Sequence, residues 1–202
     1  MRHKRLYGAL CVAGISLFLF TADYASAHCD GLDGPVVKAA QNALKANNVN
    51  LVLIWVQKEN EPELKAVFQQ AIAVRKLSPE SKALADRQLF ETLVRLHRAG
   101  EGAPYTGLKP AGRDLGPAIP AADHAIESGG TDALETLLAK ELRGGLREAF
   151  ARVQAKRNYD ANDVAAGREY VKAYVEYIHF VERLHEAISR PAAGHYAETE
   201  SP

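Results

Sequence analysis

The chain has 202 residues with 25 basic and 25 acidic side chains, so its formal net charge at pH 7 is zero. A chain without a basic excess has no electrostatic basis for binding nucleic acid or an anionic membrane surface. Its length suits one domain with a full hydrophobic core.

The first residues have the pattern of a secretory signal peptide. Basic residues at positions 2, 4 and 5 precede an apolar run from Leu6 to Phe20, and Ala25-Ser26-Ala27 supplies small residues for cleavage after position 27. Residues 1–27 are therefore predicted to be removed, and the protein is predicted to be exported to the periplasm or outside the cell. No later apolar stretch reaches about 18 residues, so no membrane association is predicted after processing.

Cleavage leaves Cys29 as the lone thiol of the mature chain, because Cys11 lies in the signal peptide. It also removes three basic residues and one acidic residue, which brings the mature net charge to about −2. A lone cysteine in an oxidising compartment makes no internal disulfide, and it serves as a metal ligand, a redox-active thiol or an intermolecular bridge. An inert buried cysteine is the alternative, which the position beside a chain terminus disfavours.

The mature chain is predicted to begin with a metal-binding hook that comprises His28, Cys29 and Asp33. A terminal histidine offers its α-amine and imidazole to one ion as a chelate, Cys29 adds a thiolate, and Asp33 adds a carboxylate. This mixed set suits nickel or copper better than calcium or magnesium, whereas a closed zinc site needs several paired cysteines or histidines. In the alternative interpretation, Asp33 only caps the helix that begins at Pro35, and the terminus binds nothing.

Hydrophobic periodicity predicts an all-α fold, an antiparallel bundle of about five or six helices over residues 28–190. Helix starts are predicted from capping residues and prolines at Gly34-Pro35, Glu61-Pro62, Ser78-Pro79, Ala118, Thr131 and after Asn162. The run from 51 to 56 has the composition of a buried strand, but no partner strand is evident, so a helix is predicted there. Residues 191–202 are predicted to be a disordered tail.

His97 falls on the apolar face of the helix that begins after Ser78, beside Leu93 and Val94. A histidine in this position is either a core residue with one satisfied hydrogen bond or a participant in a metal site. If the amino terminus folds back over the end of this helix, His97 completes the coordination sphere or hydrogen-bonds a ligand.

Two Glu-x-x-His pairs, Glu176/His179 and Glu182/His185, lie on the last predicted helix and are of the kind that di-iron bundles use. Such a site needs its pairs on different helices, together with two further inward carboxylates. Because both pairs share one helix and face apart, a di-metal site is the weaker prediction.

From Gly100 to Pro120 the helical pattern gives way to alternating glycines and prolines. Loops of this length inside a compact domain are uncommon and are often functional. The loop offers Tyr105, Lys109, Arg113 and Asp114 to a site, or it is an ordered surface loop that covers an edge of the core. The sequence favours neither interpretation.

Two resemblances rest on these segments. Over nearly the whole mature chain, the sequence resembles a family of secreted bacterial proteins classed only as a domain of unknown function. The segments that carry this resemblance include His28-Cys29-Asp30, Asp33-Gly34-Pro35, Leu51-Val52-Leu53-Ile54-Trp55 and Gly100-Glu101-Gly102-Ala103-Pro104-Tyr105. This resemblance implies no activity.

The mature start is also similar to that of nickel superoxide dismutase, which begins His-Cys-Asp-x-x-Cys-Gly-x-Tyr-Asp-Pro and folds as a four-helix bundle. The resemblance implies that His28 gives its amine and imidazole, that Cys29 gives its thiolate and that Gly34 keeps the turn. Asp33 and Val36 stand where that family has its second cysteine and its tyrosine. A carboxylate in place of a thiolate makes the ligand field harder, which makes copper a competitor of nickel.

The leading prediction is an exported metalloprotein that binds one nickel or copper ion and reacts with superoxide or a related small oxidant. His28 and Cys29 are its primary ligands, and Asp33 and His97 are further ligands. A metal carrier or buffer without turnover uses the same ligands. A third hypothesis is a metal-free exported interaction protein that uses the loop from Gly100 to Pro120 as its recognition surface. The sequence leaves assembly into a homo-oligomer open.

Overall fold

The computed structural model describes residues 28–190, and the predicted signal peptide (1–27) and tail (191–202) lie outside the described residues. Within them the chain is all-α, as predicted, with seven α-helices and one 3-10 turn at Lys58–Asn60. The α-helices are α1 (Pro35–Ala46), α2 (Asn50–Leu53), α3 (Glu61–Val74), α4 (Pro79–Gly100), α5 (Ala118–Ser128), α6 (Asp132–Lys156) and α7 (Val164–Ser189). The total is one more than the five or six helices predicted, and the helix predicted in the run from 51 to 56 is the four-residue α2.

Local sequence accounts for where the helices begin and end. Pro35 occupies the first turn of α1, and Asn47 ends that helix in the left-handed conformation with φ 51°. The Ser78 hydroxyl accepts a hydrogen bond from the Ser81 N–H at 3.1 Å and so caps α4. Asp163 caps α7 in the same way.

The apolar run from 51 to 56 is helical only in its first part. After α2 the chain turns tightly, and the N–H groups of Trp55 and Val56 donate to carbonyls three residues earlier at 3.1 and 3.2 Å. This turn buries Val52 and Val56 and leaves Ile54 76 % exposed. It also directs the Trp55 carbonyl at α4, where it becomes part of the site described below.

The buried core is formed by the helices α1 to α4. Its largest fully buried side chains are Phe68, Leu64, Leu89, Leu93, Val36, Val37, Val52 and Val94. Both α1 and α3 pack against α4, so the longest helix of this group lies at its centre. The position of residues near the end of α4 is therefore determined by apolar burial on two sides.

The helices α5 to α7 lie outside this core. Lys156 pairs with Glu169 at 2.8 Å, and the Phe150 and Tyr177 rings lie 5.8 Å apart, which shows that α6 and α7 run antiparallel. A Cβ atom at Gly145 would approach the Phe180 ring at 3.0 Å, so this glycine lets α7 pack closely against α6. No helix in the described part of the chain is both long and apolar enough to cross a membrane.

Residues 101–117 connect α4 to α5 and form most of the predicted loop from Gly100 to Pro120, whose two ends are helical. Lys109 forms an isolated β-bridge with Gly31: its N–H donates to the Asp30 carbonyl at 2.8 Å, and its carbonyl accepts from the Leu32 N–H at 3.0 Å. The loop thus holds the amino-terminal segment of the described chain against the end of α4.

A partly buried ion pair joins the end of α3 to α4. The Arg75 guanidinium donates to both Asp86 oxygens at 2.8 and 3.1 Å, and Lys82 donates to the same carboxylate at 2.7 Å. Burial alone would raise the pKa of Asp86, but the hydrogen bonds from Arg75 and Lys82 outweigh it and hold the pKa below its ordinary value.

The substitution Asp86→Asn is expected to lower the free energy of unfolding by about 2 kcal/mol at pH 7, because it leaves the Arg75 charge without its partner. A carboxyl with a depressed folded-state pKa stabilises the fold above its unfolded pKa and loses that contribution as the pH falls through the folded pKa. The difference between wild type and variant should therefore narrow below about pH 4 in urea unfolding. An unchanged difference at low pH would contradict this account.

The matched control for that experiment is Glu91→Gln. Glu91 accepts a hydrogen bond from Arg87 at 2.9 Å on the protein surface. An exposed pair of this kind should change the unfolding free energy by no more than about 0.5 kcal/mol.

Candidate metal centre

The amino-terminal segment folds into a turn that only glycine permits. The Gly34 N–H donates to the Gly31 carbonyl at 2.9 Å, and the Gly31 N–H donates to the His28 carbonyl at 3.4 Å. A Cβ atom at Gly34 would lie 2.3 Å from the His28 carbonyl oxygen, a distance at which the backbone has to move. This turn brings Cys29 back over the end of α4.

Three side chains from two distant segments converge there. Cys29 comes from the terminal turn, His97 from the last turn of α4 and Glu101 from the position directly after that helix. One ligand atom from each of Cys29, His97 and Glu101 lies within 4.8 Å of the other two. We call this group the Cys29–His97–Glu101 cluster. A thiol, an imidazole and a carboxylate form a donor set that transition metals accept.

The tautomer of His97 gives the cluster its chemical character. His97 Nδ1 lies 2.9 Å from the Trp55 carbonyl oxygen, and because a carbonyl only accepts, Nδ1 carries the proton of that hydrogen bond. The other ring nitrogen, Nε2, lies 3.0 Å from Glu101 Oε1. In a neutral imidazole Nε2 is an acceptor, so it can face a carboxylate oxygen only if a second proton or a metal ion lies between them.

Arg98 offsets part of the negative charge beside the cluster. Its Nη1 donates to Glu101 Oε2, and its Nε lies 3.6 Å from Asp30 Oδ1. All three side chains are nearly fully buried, at 5 % exposure or less. Burial raises the pKa of Asp30, and the Arg98 charge opposes that effect.

The environment of Cys29 keeps its thiol protonated in the absence of a cation. Burial, followed by the negative charges of Glu101 and Asp30, raises the pKa of Cys29 to about 11. A thiol with such a pKa is a poor nucleophile at neutral pH, which argues against the redox-active thiol considered from the sequence. It becomes a thiolate when a metal ion replaces its proton.

The structure places the four predicted ligands in two groups. Cys29 and His97 lie together in the cluster. The His28 ring instead forms a hydrogen bond with Asp123 of α5, and its Nε2 lies 2.8 Å from Asp123 Oδ2. The Asp33 carboxylate accepts a hydrogen bond from the Gly112 N–H at 2.7 Å, and this bond lowers the pKa of Asp33. Asp33 therefore fastens the loop to the terminal turn and lies outside the cluster.

Sequence reasoning missed Glu101 and Asp123. Glu101 follows His97 by four residues, the spacing that places two side chains on one helix face. That signal was hidden because Gly100 and Gly102 predicted a loop at this point. Asp123 is 95 residues from His28 and carries no local signal.

The two Glu-x-x-His pairs of α7 take no part in this cluster. His179 Nδ1 lies 3.8 Å from Glu182, and both side chains are more than half exposed. Among residues 28–190, the three donors of the cluster are the group close enough to share one ion. Two loop residues make structural contacts. Lys109 forms the β-bridge with Gly31, and Asp114 accepts a hydrogen bond from the Gly116 N–H.

The raised pKa of Cys29 predicts slow alkylation of the folded, metal-free protein. Relative to an unfolded thiol with a pKa near 9.0, a pKa of about 11 lowers the thiolate fraction at pH 8 roughly 100-fold. The greater nucleophilicity of the more basic thiolate offsets part of this, which leaves a reaction about tenfold slower. Iodoacetamide labelling followed by mass spectrometry, with and without urea, measures the ratio. Equal rates would show that the thiol is not held in this environment.

Replacing Gly34 by alanine should open the terminal turn. The new Cβ clashes with the His28 carbonyl, so we expect a loss of about 1 to 3 kcal/mol and Cys29 labelling close to the unfolded rate. The control is Gly144→Ala in α6, where a Cβ meets nothing within 4 Å. That substitution should raise stability by about 0.5 to 1 kcal/mol and leave labelling unchanged. Unchanged labelling in the Gly34 variant would contradict the role of the turn.

The chain matches the model of a family of unknown function (DUF6448) over residues 33–180, and it therefore belongs to that family. The matched range contains His97 and Glu101 and begins after His28 and Cys29. No protein of known annotation and no solved structure matches the chain.

Proposed function

We propose that this family member is an exported protein that binds one nickel or copper ion through Cys29, His97 and Glu101. The observation that carries the proposal is the convergence of three donor atoms: His97 Nε2 and Glu101 Oε1 lie 3.0 Å apart beside the Cys29 thiol. One shared cation satisfies all three groups at once. A second proton on His97 is the competing explanation, and it leaves the Cys29 thiol without a function.

Charge counting supports a divalent ion. With Cys29 deprotonated, the cluster has one thiolate and one carboxylate, and the neighbouring Arg98 and Asp30 balance each other. A 2+ ion therefore neutralises a buried group of side chains that would otherwise be costly to keep ionised. The sulfur, nitrogen and oxygen donors suit nickel or copper, which favour such mixed sets over the all-oxygen sites of calcium and magnesium.

The processed amino terminus supplies further donors in this proposal. Cleavage after residue 27 frees the His28 α-amine directly beside Cys29. Because His28 Nε2 is engaged by Asp123, Nδ1 is the ring nitrogen left to chelate a metal together with the amine. Asp123 would then fix the ring orientation and tautomer, as carboxylates behind metal-bound histidines do. Asp33 remains a predicted ligand only if the turn at Gly112 rearranges.

The resemblance of the mature start to nickel superoxide dismutase makes superoxide the first substrate to test. A bound redox metal would supply the electron transfer, oxidising one superoxide to dioxygen and reducing a second, with two protons, to hydrogen peroxide. The chain's own contribution is to orient the ligands through Trp55 and Arg98 and to keep the ion apart from solvent. Glu101 would provide the carboxylate that the sequence prediction assigned to Asp33.

A metal carrier without turnover is the second candidate, and the burial of the ligands favours it. The Glu101 side chain is 2 % exposed and that of His97 is 5 % exposed, so both donors are closed to solvent, whereas Cys29 is partly exposed. Catalytic metal sites keep an open coordination position for water or substrate, whereas metal sites without turnover have all their positions filled by protein ligands. The same ligands serve both candidates.

The mature protein is expected to bind one equivalent of Ni²⁺ or Cu²⁺, measured by calorimetry and by metal analysis of protein purified from its native compartment. Cys29→Ser and Glu101→Gln should each lower the affinity at least about tenfold, because each removes an anionic donor. Asp33→Asn is the control and should leave the affinity unchanged. Wild-type binding in both donor variants, or a protein without metal in its native compartment, would sink the proposal.

Two further comparisons complete that experiment. A chain that begins at Ala27 instead of His28 blocks the amine, and Asp123→Asn loosens the histidine ring, so both should weaken binding about 10- to 100-fold if the terminus chelates.

Superoxide removal by the loaded wild-type protein separates the dismutase from the carrier. Stoichiometric metal with no superoxide removal assigns the carrier function.

A further inference from the structure

The cluster is enclosed on the side of α4. The side chains of His97 and Glu101 are closed to solvent, and Cys29 covers them from the other side while remaining partly exposed itself. An ion from solution therefore reaches the nitrogen and oxygen donors only after part of the surrounding structure moves. We call residues 28–34, which carry Cys29, the terminal strap.

The terminal strap has little apolar burial to hold it in place. Its apolar side chains are Cys29 and Leu32, and the second of these is 41 % exposed. Directly after the strap, Val36 and Val37 of α1 are fully buried, and Leu93 of α4 is fully buried beside the cluster. Segments with few buried apolar contacts open at a lower cost than the core around them. The strap can therefore move while both helices stay in place.

Hydrogen bonds hold the strap instead. Its backbone shares the β-bridge with Lys109 of the loop, and the His28 ring meets Asp123 at 2.8 Å. The Asp33 carboxylate accepts from the Gly112 N–H at 2.7 Å. When the strap lifts, water replaces the partner in each bond, so each resists opening only by a small net difference.

Opening also returns a buried pair of charged groups to water. Asp30 of the strap and Arg98 of α4 lie 3.6 Å apart and are both nearly fully buried. Their hydration in the open form compensates for the loss of this contact, because burying ionised groups is costly even when they are paired. The pair therefore does not prevent the strap from opening.

One of the hydrogen bonds acts on the strap without touching the cluster. The bond between Asp33 and Gly112 lies at the protein surface and joins the last part of the strap to the loop. Its acceptor is an ionised carboxylate, which makes it stronger than a bond between neutral groups. It can therefore resist opening of the strap without changing how the ion is coordinated.

We propose that the terminal strap lifts to admit and release the ion, and that the hydrogen bond between Asp33 and Gly112 is the latch that limits how often it lifts. The inference rests on the proposed metal site, because it concerns the route to that site. The latch is closed with and without the ion and is broken only in the open form. A contact that is equal in two states leaves the equilibrium between them unchanged. The latch therefore governs the rates of loading and release and leaves the affinity unaltered.

Amide hydrogen exchange of the metal-free protein tests the opening itself. The N–H groups of Leu32 and Lys109 are bonded across the β-bridge, so they exchange when the strap lifts. In the wild type they should exchange at least about tenfold faster than the N–H of Leu93 in α4. Asp33→Ala should accelerate the two bridge amides about five- to tenfold and leave Leu93 unchanged.

The matched control for the latch is Asp114→Ala. Asp114 accepts a similar bond from the Gly116 N–H at 2.8 Å, which lies within the same loop and does not reach the strap. This variant should leave the exchange of all three amides at the wild-type rates. Bridge amides that exchange only as fast as Leu93 in the wild type, or that do not respond to Asp33→Ala, would overturn the proposal.

Metal kinetics test the route. Stopped-flow loading with Ni²⁺, and its release to excess EDTA, should both be about five- to tenfold faster in Asp33→Ala, with a Kd within about twofold of the wild type. Asp114→Ala should match the wild type in both rates. Unaltered rates in Asp33→Ala, or a weaker affinity with an unaltered loading rate, refute the latch alone. A wild-type chain that binds neither Ni²⁺ nor Cu²⁺ refutes the site itself and with it the route.

Discussion

The structure depends on a backbone turn that places Cys29 over the end of α4. The turn needs glycine at position 34, because the space of a side chain there is taken by the His28 carbonyl. The turn alone does not hold the segment in place: the β-bridge between Gly31 and Lys109 joins it to the long loop, and the loop follows directly from α4. The terminal segment, the loop and the helix end are thus one unit, and the cluster exists only while all three are in contact.

The charged groups of this unit are mutually dependent in the same way. Asp30, Arg98 and Glu101 are each nearly fully buried, and each would be costly to bury alone. Arg98 contacts both carboxylates. The pKa of Cys29 is raised first by burial of the thiol and then by the negative charges of Glu101 and Asp30. The excess of negative charge beside a protonated thiol is the physical reason for proposing metal binding and not an inert cysteine.

Local chemistry makes the helices and the inward direction of His97 predictable. Capping residues and prolines act within a few residues of the helix ends, and the periodicity of α4 by itself predicts that His97 lies beside Leu93 and Val94. The remainder of the site depends on contacts between distant residues. Asp33 was predicted to be a metal ligand because it is near Cys29 in sequence. In the structure its carboxylate instead accepts a hydrogen bond from Gly112, which is 79 residues away.

The cluster lies at the carboxyl end of α4, and the direction of that helix has a consequence of its own. The aligned peptide dipoles of a 22-residue helix leave a partial negative charge at its last carbonyls, next to His97 and Glu101. Positive charge is favoured there by about 0.3 to 1 kcal/mol at the surface and by up to about 2 kcal/mol where the helix end is partly buried. The last turn of α4 therefore favours positive charge at this position in addition to the side chains, so the helix end would strengthen the binding of the cation proposed above.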